Sequence, residues 1–548
     1  MSIHTPSSFL EALFETKDRT PAPSGRPVWV DRSTPSQFIF ESTIGIVRLQ
    51  KRSAYPTTFA YLHGNKLFFG YGKYDPKNTR QLFDYNHDYS LAPPEEYLWC
   101  EADPVQGTVT IERDIYCTVP LFASNSHGRL VLSNHYDRVC KLSRNVRPHA
   151  SKLGLLDILL SINTREFTWR EDVHILLERQ RAIWRDGEFR TEPRDDVPYS
   201  QLQSECRTDP RQFKQYLEAT LDSYWQRYAK NSKVAFELSG GIDSPIAPGY
   251  YATQGQELTT ATIAFPGNFA VTQQAKLRDF FKRFDVKSTY IVPLDIERHH
   301  PLAELTRSGT WRPFAMYADM YAEAHRELAD KLCFMENTET IFTGIGGDEM
   351  CANAIPRRRP LEHAIQRGLK KAPSFFTPLF HDFCNTVGKK YSQTIPSALQ
   401  VLPLCTIQTA ENRNNTYLDR GIWPVTPFSD PRLYRYSQGL PVRYRANKNI
   451  LRAYHHALRS PESIYKTGHN EHFGDFFTHT VVQKLEGTLK QFLEQSVLER
   501  EGFLDKQELL RQLRAVKDDV HPDPKRTAFE LYKILVTEIN LQVEKLCI

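Results

Sequence analysis

The sequence predicts two domains of different class, an N-terminal α+β sandwich followed by an α/β domain built on a parallel sheet. Three observations carry this. At 548 residues the chain is long enough for two or more domains. Residues 36 to about 195 read as many short apolar or alternating runs, separated by Gly, Asn, Pro and Asp. Beyond a polar, proline-containing stretch at 191–198, which reads as a linker, helical and strand-like segments alternate. That alternation is the pattern of a parallel sheet with helices on its faces. The boundary is placed between 1–198 and 199–548.

In the first region strands are expected over 38–40, 44–49, 58–62, 66–70, 108–112 and 129–133, and a segment of roughly 35 residues precedes the first of them. In the second region the spacing predicts a helix over 213–228 and a strand over 234–238. A helix over 275–284, strands over 288–292 and 339–342, a helix around 449–458 and further helices over 482–548 follow. No internal repeat or low-complexity tract interrupts the pattern.

Composition excludes several classes. The 70 basic and 65 acidic residues leave a net charge of +5, too close to balance to call for nucleic acid. No apolar run approaches 18 residues, so no membrane span is expected. The N-terminus lacks a basic stretch leading into an apolar one, so no secretory leader is expected. Nine cysteines without Cys-x-x-Cys spacing argue against a disulfide framework and a zinc site, and a cytoplasmic location is the expectation.

The chemistry concentrates in Ser239-Gly240-Gly241-Ile242-Asp243-Ser244, between the predicted strand 234–238 and a segment that can be helical. Paired glycines let backbone N–H groups approach an anion, and a helix N-terminus and serine hydroxyls add donors. Pro245 and Pro248 are tolerated in a first helical turn but remove donors. Asp243 would repel a bare phosphate, and makes sense with a divalent metal between them. No Gly-Lys-Ser/Thr follows, so this is not the Walker loop. A second loop, Thr343-Gly344-Ile345-Gly346-Gly347-Asp348-Glu349, follows the predicted strand 339–342. Asp348 lies 105 residues beyond Asp243, room for two or three βα units, and the two acids could chelate Mg²⁺ against a triphosphate. Either loop alone is also compatible with an ordinary glycine-rich turn.

The first loop matches the signature loop of the ATP pyrophosphatases. Together the two loops resemble the synthetase domain of the asparagine synthetase family, which includes β-lactam synthetases and lasso peptide cyclases. Pro427-Phe428-Ser429-Asp430-Pro431 is similar to the family's Pro-Phe-x-Asp element, and Tyr465-Lys466-Thr467-Gly468 to its Lys-x-Gly element. The resemblance implies ATP and Mg²⁺ as cofactors. It implies pyrophosphate binding by Ser239, Gly240, Gly241 and Ser244, and metal binding by Asp243 and Asp348. Nucleotide contacts are implied at Leu238, Ile263, Thr343 and Gly344. Read alone Lys466 is a solvated loop lysine, but its spacing within the family pattern reverses that reading, and it would stabilise negative charge as pyrophosphate leaves. The basic run Arg357-Arg358-Arg359, with Lys370-Lys371, could line a channel for an acidic peptide or carboxylate, or form a solvated surface loop.

The first region resembles the class II glutamine amidotransferase domain that precedes the synthetase in that family. Arg113 to Phe122 is similar to its Arg-Asp-x-x-Gly-x-x-Pro-Leu-Tyr/Phe stretch, Leu132-Ser133-Asn134 to the following strand, and Trp184 to Glu188 to a hairpin near its end. Those amidotransferases use a cysteine directly after the initiator methionine as nucleophile, with its own α-amine as base. Here that position is Ser2 and the nearest cysteine is Cys100. The resemblance therefore implies a degenerate domain without glutamine hydrolysis, kept for structure or substrate docking.

Without internal ammonia the nucleophile is expected on the substrate or a second substrate. Ile345 stands where β-lactam synthetases carry a tyrosine and asparagine synthetases a glutamate, and it cannot move a proton. A peptide α-amine, with a pKa of roughly 8, is substantially free base at neutral pH and needs a dedicated base less. Glu349, His469 and His472 are the candidate proton acceptors. The expectation is an ATP-dependent amide synthetase that adenylates a carboxylate for attack by an amine, with macrolactam closure of a lasso peptide, a form of antibiotic biosynthesis, as the leading case. Its partners would be a peptide or small-molecule substrate, a precursor peptide and its maturation protease. Ligation of ammonia or a separate amine, and an idle nucleotide-binding scaffold, remain the alternatives.

Overall fold

The computed structural model describes residues 10–548 except 16–29, 43–44, 52–57, 64, 73–97, 115, 144–147, 163–167, 179, 194–208, 310–320, 352–360, 392–405, 407–408 and 467–473. The N-terminal region forms β1 (Leu10–Glu15), β2 (Val30–Asp31), β3 (Gln37–Ser42), β4 (Gly45–Gln50), β5 (Thr58–His63) and β6 (Lys66–Tyr71). It continues through β7 (Leu98–Asp103), β8 (Thr108–Arg113), β9 (Phe122–Ser126), β10 (Arg129–Ser133), β11 (Val173–Ile175), β12 (Gln180–Arg185) and β13 (Glu188–Pro193). Two antiparallel sheets result, ordered β11-β9-β10-β1-β4-β3-β2 and β13-β12-β8-β7-β6-β5.

The strand period explains the stacking. Leu10, Ala12 and Phe14 of β1 and Val47 and Leu49 of β4 share a core with Leu67 and Phe69 of β6 and Ala102 of β7. Alternate residues of the first sheet, such as Phe122 and Val131, face the other way. They pack with the helix Lys152–Leu160. Both faces are covered at β10, where Leu130 to Ser133 are all buried, whereas β4 buries only Val47 and Leu49. The Asp186-Gly187 turn between β12 and β13 has both residues at positive φ, 50° and 83°, as a tight hairpin requires.

Two expectations need correction. The first core strand does not follow roughly 35 residues of extra chain: β1 begins at Leu10 and sits centrally, paired to β10 and β4. Leu-Glu-Ala-Leu-Phe-Glu lacks turn punctuation and fits a helical period, yet Leu10, Ala12 and Phe14 are fully buried on one face. The stretch 191–198 is not all linker, because Thr191 and Pro193 pair with Ala182 and Gln180; 194–198 lies outside the described residues.

The C-terminal region holds β14 (Val234–Glu237), β15 (Leu258–Ala264), β16 (Val286–Pro293), β17 (Thr340–Phe342) and β18 (Trp423–Val425). They form a parallel sheet ordered β16-β15-β14-β17-β18, as the alternating pattern predicts. The order reverses between β14 and β17. The two regions interlock. Asn134 Nδ2 donates to Asn415 Oδ1 at 2.8 Å, and Asn415 Nδ2 donates to the Asn134 carbonyl at 2.8 Å. His135 meets Asp419 at 2.7 Å, and the Tyr71 ring packs edge-on to Trp423. The helix Pro524–Val543 returns to the N-terminal region, where Leu531, Leu535 and Ile539 join Leu153, Leu156 and Leu159 in one core. Among the described residues no helix is long and apolar enough to cross a membrane.

Asn415→Ala would leave buried amide groups of Asn134 unpaired. The expected loss is about 1–3 kcal/mol of stability, checked by the shift in denaturant unfolding midpoint.

Candidate active site

Three segments leave the carboxyl ends of adjacent strands where the sheet order reverses. Residues 239–244 follow β14, 343–349 follow β17, and the 3₁₀ turn Pro427–Ser429 follows β18. In open α/β sheets a crevice forms at this place, because neighbouring connections run to opposite sides.

The first two loops pack closer than side chains allow. A methyl group at Gly347 would stand 2.4 Å from Asp243 Cγ, and one at Gly344 would stand 2.9 Å from the Ser244 nitrogen. Gly240 and Gly346 have φ of +83° and +96°, conformations L side chains rarely adopt. Within the first loop the Ser239 N–H donates to Ser244 Oγ at 3.0 Å, the two hydroxyls lie 3.1 Å apart, and the Gly241 N–H donates to Ser239 Oγ at 3.1 Å. The helix Ile246–Thr253 begins directly after Pro245, so both prolines are accommodated.

Side chains outside the loops fix them. Gln273, 1% exposed, donates from Nε2 to the carbonyls of Ser239 (2.8 Å) and Ile263 (3.0 Å) and accepts from the Phe265 N–H (3.0 Å). Leu238 is buried, its N–H donating to the Ala261 carbonyl and its own carbonyl accepting from Thr262 Oγ1. Thr343 donates from N–H to the Val425 carbonyl, and its Oγ1 accepts from the Ile345 N–H. Ser429 Oγ donates to the Ile345 carbonyl at 3.1 Å. Asp430, fully buried, caps the helix Pro431–Gln438 through the N–H groups of Arg432 and Leu433. The Pro-Phe-Ser-Asp element therefore buttresses the second loop.

A residue that sequence reading passed over completes the cluster. Lys448 Nζ lies 2.5 Å from Asp243 Oδ2 and 2.6 Å from Asp348 Oδ1. Its only local signal was a lysine at the mouth of the predicted helix. Asn447 and Lys448 both adopt left-handed conformations, φ 53° and 56°. Two such residues in succession are uncommon outside glycine, and strain of this kind gathers at functional sites. Burial pushes the Asp243 carboxyl up to about 6; Lys448 opposes this, and Asp348 and Glu349 add to it. Burial works against the charge on Lys448, but the two aspartates outweigh it and raise the ammonium above its ordinary value.

The donor set fits a hard divalent ion. Asp243 Oδ1 is buried with no hydrogen-bond partner. Among the described residues no group of three or more His, Cys, Asp and Glu side chains could hold a metal. Two carboxylates whose remaining ligands come from phosphate and water is the arrangement Mg²⁺ favours, whereas zinc requires a fuller protein shell.

Lys466 lies apart from this cluster, exposed and paired with Glu462 at 2.5 Å. It is nevertheless tied to the first loop. His455, fully buried, bonds through Nε2 to the Ile242 carbonyl (2.7 Å) and through Nδ1 to Ser460 Oγ (2.9 Å), and its ring lies parallel to that of Tyr465. Burial pushes the His455 imidazole down to about 4. Glu349 is half-buried, with its carbonyl accepting from Gln438 Nε2 at 3.2 Å. Burial raises the Cys351 thiol beside the second loop to about 12, and raises Cys100 further, so neither is a ready nucleophile. His469, His472 and Arg357 to Arg359 lie outside the described residues.

Two outcomes follow from this packing. Gly347→Ala should displace Asp243 and lower stability by about 1–3 kcal/mol, read from the unfolding midpoint. Because His455 is neutral in the fold, the unfolded chain takes up its proton first as pH falls. Its contribution is fully present above about 6.5 and is lost as pH drops toward 4. Unfolding midpoints at pH 7 and 4.5 should therefore converge more in His455→Gln than in the parent chain.

The comparisons agree with this geometry in one region. The family model described as asparagine synthase matches residues 215–542, which contain both glycine loops, Lys448 and Lys466. No curated protein matches the chain. Among solved structures, one titled "Structure of the allosteric regulatory enzyme of purine biosynthesis" is 8% identical, covering 54% of this chain and 77% of that one with a TM-score of 0.20. The glutamine phosphoribosylpyrophosphate amidotransferase from B. subtilis complexed with ADP and GMP is also 8% identical, covering 62% and 85% with a TM-score of 0.19. At those scores neither carries an argument about fold or activity. The family match spans more than half of the 548 residues and includes both acid-bearing loops of the crevice, so the chain belongs to the asparagine synthase family of ATP-dependent amide-forming ligases.

Proposed function

We propose that the chain adenylates a substrate carboxylate with ATP and passes the acyl group to an amine. The observation that carries this is the meeting of Asp243 and Asp348 on one lysine, at 2.5 and 2.6 Å, in the crevice of the parallel sheet. Asp243 and Asp348 would hold Mg²⁺, which when bound neutralises phosphate charge and orients the triphosphate. Ser239, Gly240, Gly241 and Ser244 would cradle the pyrophosphate end, with Leu238, Ile263, Thr343 and Gly344 beside the nucleoside.

A carboxylate oxygen attacks the α-phosphorus, the bond to the bridging oxygen breaks, and pyrophosphate leaves. The amine then attacks the acyl carbon, AMP departs with the electron pair, and the amine loses a proton. Lys448 counters the charge gathered on the leaving pyrophosphate. Lys466 would serve the same end after releasing Glu462. Ile345 cannot take the amine proton, which favours an α-amine that is already free base; of the candidate acceptors Glu349, His469 and His472, only Glu349 lies among the described residues.

We place the amine on the substrate itself, with macrolactam closure of a lasso precursor peptide supplied by a maturation protease as the leading case. In this reading the N-terminal sandwich is a support without glutaminase chemistry, in a cytoplasmic enzyme. Its Arg113 is buried and donates to the carbonyls of Leu176 and Val119, and its Asp114 caps a turn at Tyr116 and Cys117, all structural tasks.

The test is pyrophosphate release with ATP, Mg²⁺ and candidate carboxylates. Asp348→Ala should reduce release by about 100-fold or more with an unchanged melting temperature, since one lost electrostatic partner at a reacting phosphate is commonly worth that much. Surviving activity would sink the two-acid site. Release that depends on added ammonia would move the substrate assignment to intermolecular ligation. ATP binding without release for any substrate would indicate the idle scaffold.

A further inference from the structure

A cavity of about 390 Å³ opens where three helices meet. One is Lys152–Leu160 of the N-terminal region, one is Leu361–Leu369, and the third is Pro524–Val543. The close approach is set by Gly368, where a methyl group would stand 2.9 Å from Leu160 Cβ. The size lies within the roughly 300–1,000 Å³ typical of small-ligand sites.

Its lining is strongly basic: Arg367, Lys371, Arg526 and Lys533 against the single carboxylate of Glu530. Lys533 is already satisfied. It is buried, pairs with Glu530 at 2.7 Å and donates to Ser161 Oγ and the Leu159 carbonyl. This cancels Glu530 and leaves Arg367, Lys371 and Arg526 with no carboxylate partner among the described residues. Arg526 is held in place by an Nη2 bond to the Lys371 carbonyl. Three exposed cations lining one concavity make a positive surface that attracts a multiply charged anion. Two guanidinium forks and an ammonium suit tetrahedral, multiply charged oxyanions better than a single carboxylate.

We infer that this cavity binds a small molecule bearing one or two phosphate groups, clamping the N-terminal region to the C-terminal helices. The site is separate from the adenylation reading and needs no divalent metal.

The probe is inorganic pyrophosphate, titrated calorimetrically into the full chain in metal-free buffer with a chelator. Saturable binding is expected that weakens as salt rises. The exposed double variant Arg367→Glu/Arg526→Glu should weaken it at least about tenfold with an unchanged melting temperature. Lys448→Ala should leave it within about twofold. Absent binding, equal binding by the double variant, or binding abolished by Lys448→Ala would each overturn the proposal. Citrate competing as well as pyrophosphate would overturn the assignment to phosphate. Failure here leaves metal-dependent pyrophosphate release untouched, so the two readings fail separately.

Discussion

The site depends on two stretches of backbone lying closer than a methyl group permits. Gly347 against Asp243 and Gly344 against Ser244 bring loops from strands β14 and β17 into one wall of the crevice. That approach holds the Asp243 carboxylate out of water, where its charge is disfavoured. Lys448 offsets part of this cost, and the carboxylate oxygen left unpaired beside it keeps the arrangement short of full satisfaction. A pocket already complete in its own hydrogen bonds would gain less from a hard cation and a triphosphate.

The buttresses around this contact are as specific as the contact itself. Gln273 ties the first loop to β15, Ser429 ties the second to β18, and His455 links Ile242 to the segment that ends in Lys466. Each is buried and nearly saturated with partners. The loop geometry therefore rests largely on neutral hydrogen bonds, apart from the Asp243–Lys448–Asp348 cluster.

Much of the fold was legible because its periods are clean. The parallel sheet showed in the alternation of strand and helix, and both glycine loops showed because glycine, serine and aspartate after a strand have few other uses. Lys448 was not legible: its position depends on two left-handed residues and a contact with Asp243 across 205 residues. The Pro-Phe-Ser-Asp element was legible as a motif but not in its role, since only the fold shows Asp430 capping a helix. β1 was missed because its six residues satisfy a helical and a strand period alike, and tertiary pairing decided between them.

The core shared by the helices Lys152–Leu160 and Pro524–Val543 bears on how the chain reaches this state. The leucines of the first helix leave the ribosome early, but the face that covers them is made roughly 380 residues later. At 5–20 residues per second that is a delay of about 20–80 s. Until then the part of that surface covered by Pro524–Val543 stays open, although Leu361–Leu369 can already pack against Leu160. The last helix thus acts as a closing seal, and a nascent chain stopped short of it is a natural client for holdase chaperones.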